Sequence, residues 1–272
     1  MKFCKNDVFG LWVVNEPSIL QLKCWNSWIR LGYNLTLFVD DPKHIPSSIA
    51  SKIKIVSIHA VLPSFTFKGD NLLQQTDLWR FMYLEKYGGT WLDSDLYLCK
   101  RIPHADIIIS SEHTLQAGGR KSKSHKRANI GLLRFPPNHR FIKAVVAKLT
   151  PKTKEDENTN SHDTSKMMKF IKLLNTKKWL HMKEYVAEPE AYCPVPYSFA
   201  KELYTHDKDL PIKTKYGLEL NYMNEETIGL HLWANICRNK KIDLDKIHPN
   251  SLFLVATTNA TTNATLNHLV IV

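Results

Sequence analysis

Through the first 95 residues of this 272-residue chain, apolar runs of strand length alternate with segments of helical period, and few architectures accommodate that alternation. Val8–Val14 is one such run. After Pro17, apolar positions at Leu20, Cys24, Trp28 and Leu31 recur three or four apart up to Gly32, which predicts a helix. Asn34–Val39 and the alternating Ile53–Ile58 read as strands. A second helix is expected over Asn71–Tyr87, with Asp70 as its candidate N-cap and Gly88-Gly89 as its stop. Thr90–Leu92 then leads into Asp93-Ser94-Asp95. Strands joined through helices imply right-handed crossovers and a mainly parallel, twisted sheet flanked by helices. The expected class is therefore α/β, Rossmann-like. Ligands of such sheets bind at the carboxyl ends of the strands, where Trp12–Asn15, Asp40-Asp41 and Asp93-Ser94-Asp95 fall.

Beyond residue 100 the pattern is less regular. Ile107–Ser110 and Ile130–Phe135 look like strands, and Asn138–Leu149 and Thr164–Asn175 like helices, the latter basic and amphipathic. Thr150–Asp163 reads as an exposed loop, and residues 256–272 as a low-complexity tail. The expectation is one domain over residues 1–255, with a nucleotide-binding half (about 1–100) and an acceptor half (about 101–255).

Composition excludes several classes. A chain 43% hydrophobic and 23% charged is neither disordered nor fibrous. No apolar run approaches the roughly 18 residues that a membrane-spanning helix needs. The charged opening Met1-Lys2-Phe3-Cys4-Lys5 lacks a signal-peptide core, and five cysteines without a CxxC pair suit reduced thiols, so a cytoplasmic location is expected. On that reading the sequons at Asn34, Asn259 and Asn263 are accidental. A net charge of +11 points to anionic partners without choosing among them. Gly118–Ala128 holds five Lys/Arg and no acid, and reads as a mobile loop suited to peripheral contact with an anionic surface.

Aspartates two apart occur at Asp93/Asp95, Asp207/Asp209 and Asp243/Asp245, so the spacing alone means little. Context separates the first pair, which a helix, a double glycine and a short strand present at a sheet edge. The other two sit in Lys-rich stretches that read as solvated surface. Two carboxylates at a strand end can hold a hard divalent cation that bridges diphosphate oxygens, a Lewis-acid arrangement. A purely structural turn is the alternative for the same residues.

The stretch from Thr76 to Asp95, with Asp77, Arg80, Gly88-Gly89 and Asp93-Ser94-Asp95 at its anchors, resembles the signature of glycosyltransferases with a DxD sugar-binding region. It is similar to the Och1-like, capsular-polysaccharide type of family 32, where the first anchor is usually Ser rather than Thr. Leu11-Trp12 with Gly32–Asp40, Ala128–Leu133 with Pro136–Phe141, and Gly229–Trp233 resemble further elements of that family. The resemblance spans roughly residues 8 to 235 and implies a GT-A fold.

It also implies a function: metal-dependent transfer of a sugar from a nucleoside diphosphate sugar, UDP- or GDP-linked, to a glycan or other hydroxyl acceptor, with retention. Asp93, Asp95 and His231 would hold Mn²⁺ (or Mg²⁺), the two aspartates being the catalytic pair. Trp12, Val13, Asp77, Arg80, Ser94, Asn129, His231 and Trp233 would bind the donor, Trp12 by stacking on the base and Asp77 and Arg80 through sugar hydroxyls. No catalytic base stands out, Glu190 and Glu226 being only guesses, and this agrees with retention. Two other classes compete. A haloacid-dehalogenase-like phosphatase would use Asp93 as nucleophile and Asp95 as acid, but those enzymes place the pair after the first strand. A basic nucleic-acid-binding protein would explain +11, yet no nucleic-acid module motif is present and no nucleic-acid partner is expected.

Overall fold

A computed structural model describes residues 5–13, 16–63, 65, 72–115, 124–150, 166–207, 209–210, 212–213, 219–220, 223–239, 247–255 and 257. The strands of the central sheet are β1 (Asp7–Trp12), β2 (Asn34–Val39), β3 (Lys54–Ser57), β4 (Gly89–Leu92), β6 (Ile108–Leu115) and β7 (Ser124–Phe135). They lie in the order β3-β2-β1-β4-β7-β6. The first four are mutually parallel, while β7 runs antiparallel to both β4 and β6. This is the expected α/β class, a mainly parallel sheet between helices, with an antiparallel edge contributed by the second half of the chain. Among the described residues no helix is long and apolar enough to cross a membrane.

Helix α1 (Ile19–Arg30) starts where the sequence predicts, because Ser18 and Gln21 form a capping box at its first turn. Its inner face carries Leu20, Cys24, Trp25 and Trp28, which pack with Val8, Leu35 and Leu37 on one side of the sheet. The Trp28 indole donates to Leu96 O (2.7 Å), tying α1 to the segment that follows the aspartates. On the opposite side, helix α2 (Leu72–Tyr87) buries Leu78, Trp79, Phe81 and Leu84 against Phe9, Phe38 and Trp91. Burying a large apolar side chain is worth about 1.5–3 kcal/mol, so the two faces of the sheet anchor both helices.

Gly88 (φ 64°) and Gly89 (φ 116°) make the turn from α2 into β4. A Cβ on Gly88 would lie 2.5 Å from Pro137 N, so both conformation and space require glycine there. Strand β5 (Leu96–Leu98) pairs antiparallel with β8 (Gly229–His231), setting His231 opposite Leu96. Helices α3 (Arg140–Leu149) and α4 (Lys166–Leu174) cover α2.

Several boundaries differ from expectation. β1 ends at Trp12, and residues 14 and 15, like Asp70, Asn71, residues 151–165 and the tail apart from Thr257, lie outside the described residues. β3 is shorter than Ile53–Ile58 because the Ser57 hydroxyl accepts from the His59 N–H and opens a short helical turn over Ile58–Val61. The expected mobile loop at Gly118–Ala128 is corrected in its second half. Residues 124–128 are strand, paired with Ser111–Leu115, and Arg127 binds the buried Glu112 across the hairpin. Lys126 pairs with Glu188, so two of the five basic charges already have acidic partners, and residues 116–123 lie outside the described set. Asp207 and Asp209 are not simply solvated either, since both accept from Asn250 Nδ2 (2.6 and 3.0 Å). Asp243 and Asp245 fall outside the described residues.

Candidate active site

Backbone pairing in two sheets converges on one point. Past the end of β4, the Asp93 N–H donates to Gly131 O on β7 (2.8 Å), and the Leu96 N–H closes a turn onto Asp93 O (2.9 Å). The Leu232 N–H, one residue beyond β8, donates to Asp95 O (2.8 Å). Ligand atoms of Asp93, Asp95 and His231 consequently lie within 4.8 Å of one another. His231 Nε2 is 3.1 Å from Asp95 Oδ1 and 3.9 Å from Asp93 Oδ2.

The remaining carboxylate oxygens are held by the protein. Asp93 Oδ1 accepts from the Trp91 indole (2.7 Å) and from Arg80 Nη2 (2.9 Å), while Asp95 Oδ2 accepts from the Ala234 N–H (2.9 Å). Asp93 Oδ2 and Asp95 Oδ1 thus remain on the side of His231 Nε2. Two carboxylate oxygens and one imidazole nitrogen suit a divalent cation such as Mn²⁺. Gly131 keeps the space beside them open: a Cβ there would lie 2.9 Å from Asn129 Oδ1, 3.5 Å from Asp93 Oδ2 and 3.7 Å from His231 Nε2. The residues present fit a metal.

Charge is arranged around the cluster. Burial by itself would drive His231 towards neutrality, but the charge and hydrogen bond of Asp95 outweigh it and hold the imidazole pKa well above its ordinary value. Burial likewise opposes ionisation of Asp95, yet His231 and the Ala234 N–H bring its pKa below the usual carboxylate value. Arg80 is buried, pairs with Asp77 (3.2 Å) as well as Asp93, donates to Ile130 O (2.7 Å) and lies over the Trp91 ring at 4.4 Å. Asp77 is buried as well, and burial, only partly offset by Arg80, raises its pKa to about 6. Trp233 adopts φ 53°, rare for a bulky residue, held by its indole bond to Val195 O (2.9 Å) and by its ring against His231, centroids 4.1 Å apart.

These groups open onto a cleft of about 830 Å³ at the carboxyl ends of the strands. Trp12, Val13, Arg80, Asp93, Ser94, Asp95, His231 and Trp233, eight of the sequence-derived site residues, line it. The other two do not. Asp77 stands behind Arg80, and Asn129 is turned to the Gly131 N–H (2.6 Å). Glu190 pairs instead with His113 (3.0 Å), and neither it nor Glu226 lines the cleft. A phosphatase would need Asp95 as a proton donor, whereas the neighbouring His231 and the Ala234 N–H favour its ionised form.

Residues 23–115 match the family described as "Glycosyltransferase sugar-binding region containing DXD motif". The match supports a transferase enzyme. No curated protein matches the chain at a significant level. Among solved structures, the chain is similar to "PaToxG Glycosyltransferase" at 13% identity, over 66% of this chain and 74% of that one, with a TM-score of 0.43. It is also similar to a protein described as "Structure of Transferase", at 11% identity, 68% and 90% coverage and a TM-score of 0.40. The glycosyltransferase GlyE of Streptococcus pneumoniae TIGR4 shows 14% identity over 96% of this chain and 64% of its own length, with a TM-score of 0.40.

Sequence reasoning passed over Gly131 as an element of the site, although its place two residues after Asn129 in a strand was a signal for close approach. It also missed Gln21, Leu72, Leu73 and Ile236, which line the cleft but read as ordinary helix residues.

Proposed function

We propose that this chain is a metal-dependent glycosyltransferase of GT-A type, similar to family 32, moving a sugar from a UDP- or GDP-linked donor to a glycan or other hydroxyl acceptor with retention. The observation that carries the reading is the Asp93–Asp95–His231 cluster on the wall of a cleft that also holds Trp12 and Arg80. Asp93, Asp95 and His231 would hold Mn²⁺ (or Mg²⁺), which when bound would offset the negative charge on the departing diphosphate. Trp12 and Val13 receive the nucleoside, with the Trp12 ring presented by its edge-on contact with Trp25. Arg80, supported by Asp77, reaches the donor sugar, Ser94 and Trp233 complete the donor-binding set, and Asn129 acts through its hold on the Gly131 N–H. Among the described residues lining the cleft, Glu16 is the one carboxylate outside the metal pair, and it sits beside the α1 cap. The scarcity of other bases favours retention, in which the leaving phosphate takes the acceptor proton. The reading takes residues 1–255 as one catalytic domain in a cytoplasmic setting.

The test is turnover of radiolabelled UDP- and GDP-sugars with and without Mn²⁺. Donor hydrolysis or transfer that needs Mn²⁺ and disappears in Asp95→Ala supports the reading. Turnover of a phosphate monoester by the same protein, with no nucleotide-sugar turnover, would replace it with a phosphatase.

A further inference from the structure

Gln21 is 2% exposed, yet it lines the donor cleft. Its carbonyl end is committed, since Gln21 Oε1 accepts from the Ser18 N–H (3.1 Å) and the Ser18 hydroxyl (2.5 Å). A backbone N–H can only donate, so this pair determines which end of the amide is oxygen. The NH₂ end is thereby left as a pure donor, and it has no acceptor among the described residues. The donor nitrogen is not fully enclosed, so water can reach it from the cleft until something else satisfies it.

Its position says what that something is. Gln21 and Trp25 are four residues apart and share one face of α1. Trp12 packs edge-on against Trp25, with ring centroids 5.8 Å apart and planes at 82°. The amide and the aromatic ring assigned to base stacking therefore line the same cleft, linked through Trp25. We infer that the Gln21 NH₂ group donates to a carbonyl oxygen on the edge of the nucleobase and so selects uracil or guanine over adenine, which presents an amino group where guanine presents a carbonyl. The inference rests on the nucleotide-donor reading above and extends it to donor specificity.

Gln21→Glu isolates the effect. Glutamate is as good a capping-box partner as glutamine, so the helix start is preserved while the amide donor becomes an acceptor. Binding of UDP, GDP and ADP is to be measured by calorimetry in Mn²⁺, with Mn²⁺-pyrophosphate as the base-free control. The parent should bind UDP or GDP about tenfold more tightly than ADP, and Gln21→Glu should abolish that preference, with the change in pyrophosphate binding reporting the added charge that all the ligands share. Whichever of UDP and GDP loses affinity identifies the base. A parent that binds ADP as well as UDP and GDP, or a variant that keeps the preference, overturns the assignment of Gln21 alone. Failure of the parent to bind any nucleoside diphosphate overturns the donor reading itself, and the inference with it.

Discussion

His231 and Asp95 are 136 residues apart in sequence, yet His231 Nε2 lies 3.1 Å from Asp95 Oδ1. The β5–β8 pairing makes the contact. Asp95 holds the imidazole pKa well above its ordinary value, so a cation reaching Nε2 competes with a proton to higher pH than at an ordinary histidine.

Metal affinity should accordingly strengthen as pH rises, by up to about tenfold per pH unit while one proton is released. Titrations of Mn²⁺ at several pH values in buffers of different ionisation enthalpy would report both affinity and proton release. Constant affinity with no proton released would mean that His231 is not a ligand. In the metal-free protein the sign is opposite. The stabilisation from a raised His pKa is complete below the ordinary histidine value and is lost as pH climbs through the raised one.

Arg80→Lys keeps the charge but cannot reproduce the fork that spans Asp77, Asp93 and Ile130 O. It should cost about 2–4 kcal/mol in urea unfolding, because two poorly solvated carboxylates lose their shared partner. A loss under about 0.5 kcal/mol, the level of an exposed pair, would show that the network is wetter than the structure indicates.

Gly131→Ala places a methyl group 3.5 Å from Asp93 Oδ2 and 3.7 Å from His231 Nε2, within the space a bound cation would need. Mn²⁺ affinity should fall by about tenfold or more, while stability drops by only about 1–2 kcal/mol. Unchanged metal binding would put the cation elsewhere.

Asp77 supplies a pH signature for folding. Its pKa is raised from 3.8 to about 6, so the folded state holds the proton more tightly than the unfolded chain. The favourable contribution is full below the ordinary value and disappears as pH rises through about 6. Asp77→Asn cannot ionise, so its stability relative to the parent should rise between pH 4 and 7, by at most about 3 kcal/mol. Metal-free denaturation curves across that range provide the measurement, and a difference independent of pH would contradict the assigned burial.

The first half of the fold was legible because local signals agreed with the tertiary outcome. Pro17 and Gly32 bracket α1, Gly88-Gly89 ends α2, and each apolar run pairs with its parallel neighbour. The hairpin at residues 124–128 was not, because Lys126 and Arg127 read as solvated charge. Their partners Glu188 and Glu112 are specified only by folding. Asp93 and Asp95 were visible through the glycine turn and strand before them. The split between groups that line the cleft and groups behind it, such as Asp77 and Asn129, depends on helix rotation and strand twist that spacing does not encode. Gln21 stayed hidden for a related reason, since a capping glutamine and a ligand-facing glutamine look identical in sequence.

The most direct measurement is anomalous diffraction at the manganese edge from crystals grown with Mn²⁺ and UDP or GDP. The account predicts one strong peak within coordinating distance of Asp93 Oδ2, Asp95 Oδ1 and His231 Nε2, with diphosphate density extending from it towards Trp12. A cleft containing nucleotide but no peak there, or a peak bound by other residues, would contradict it.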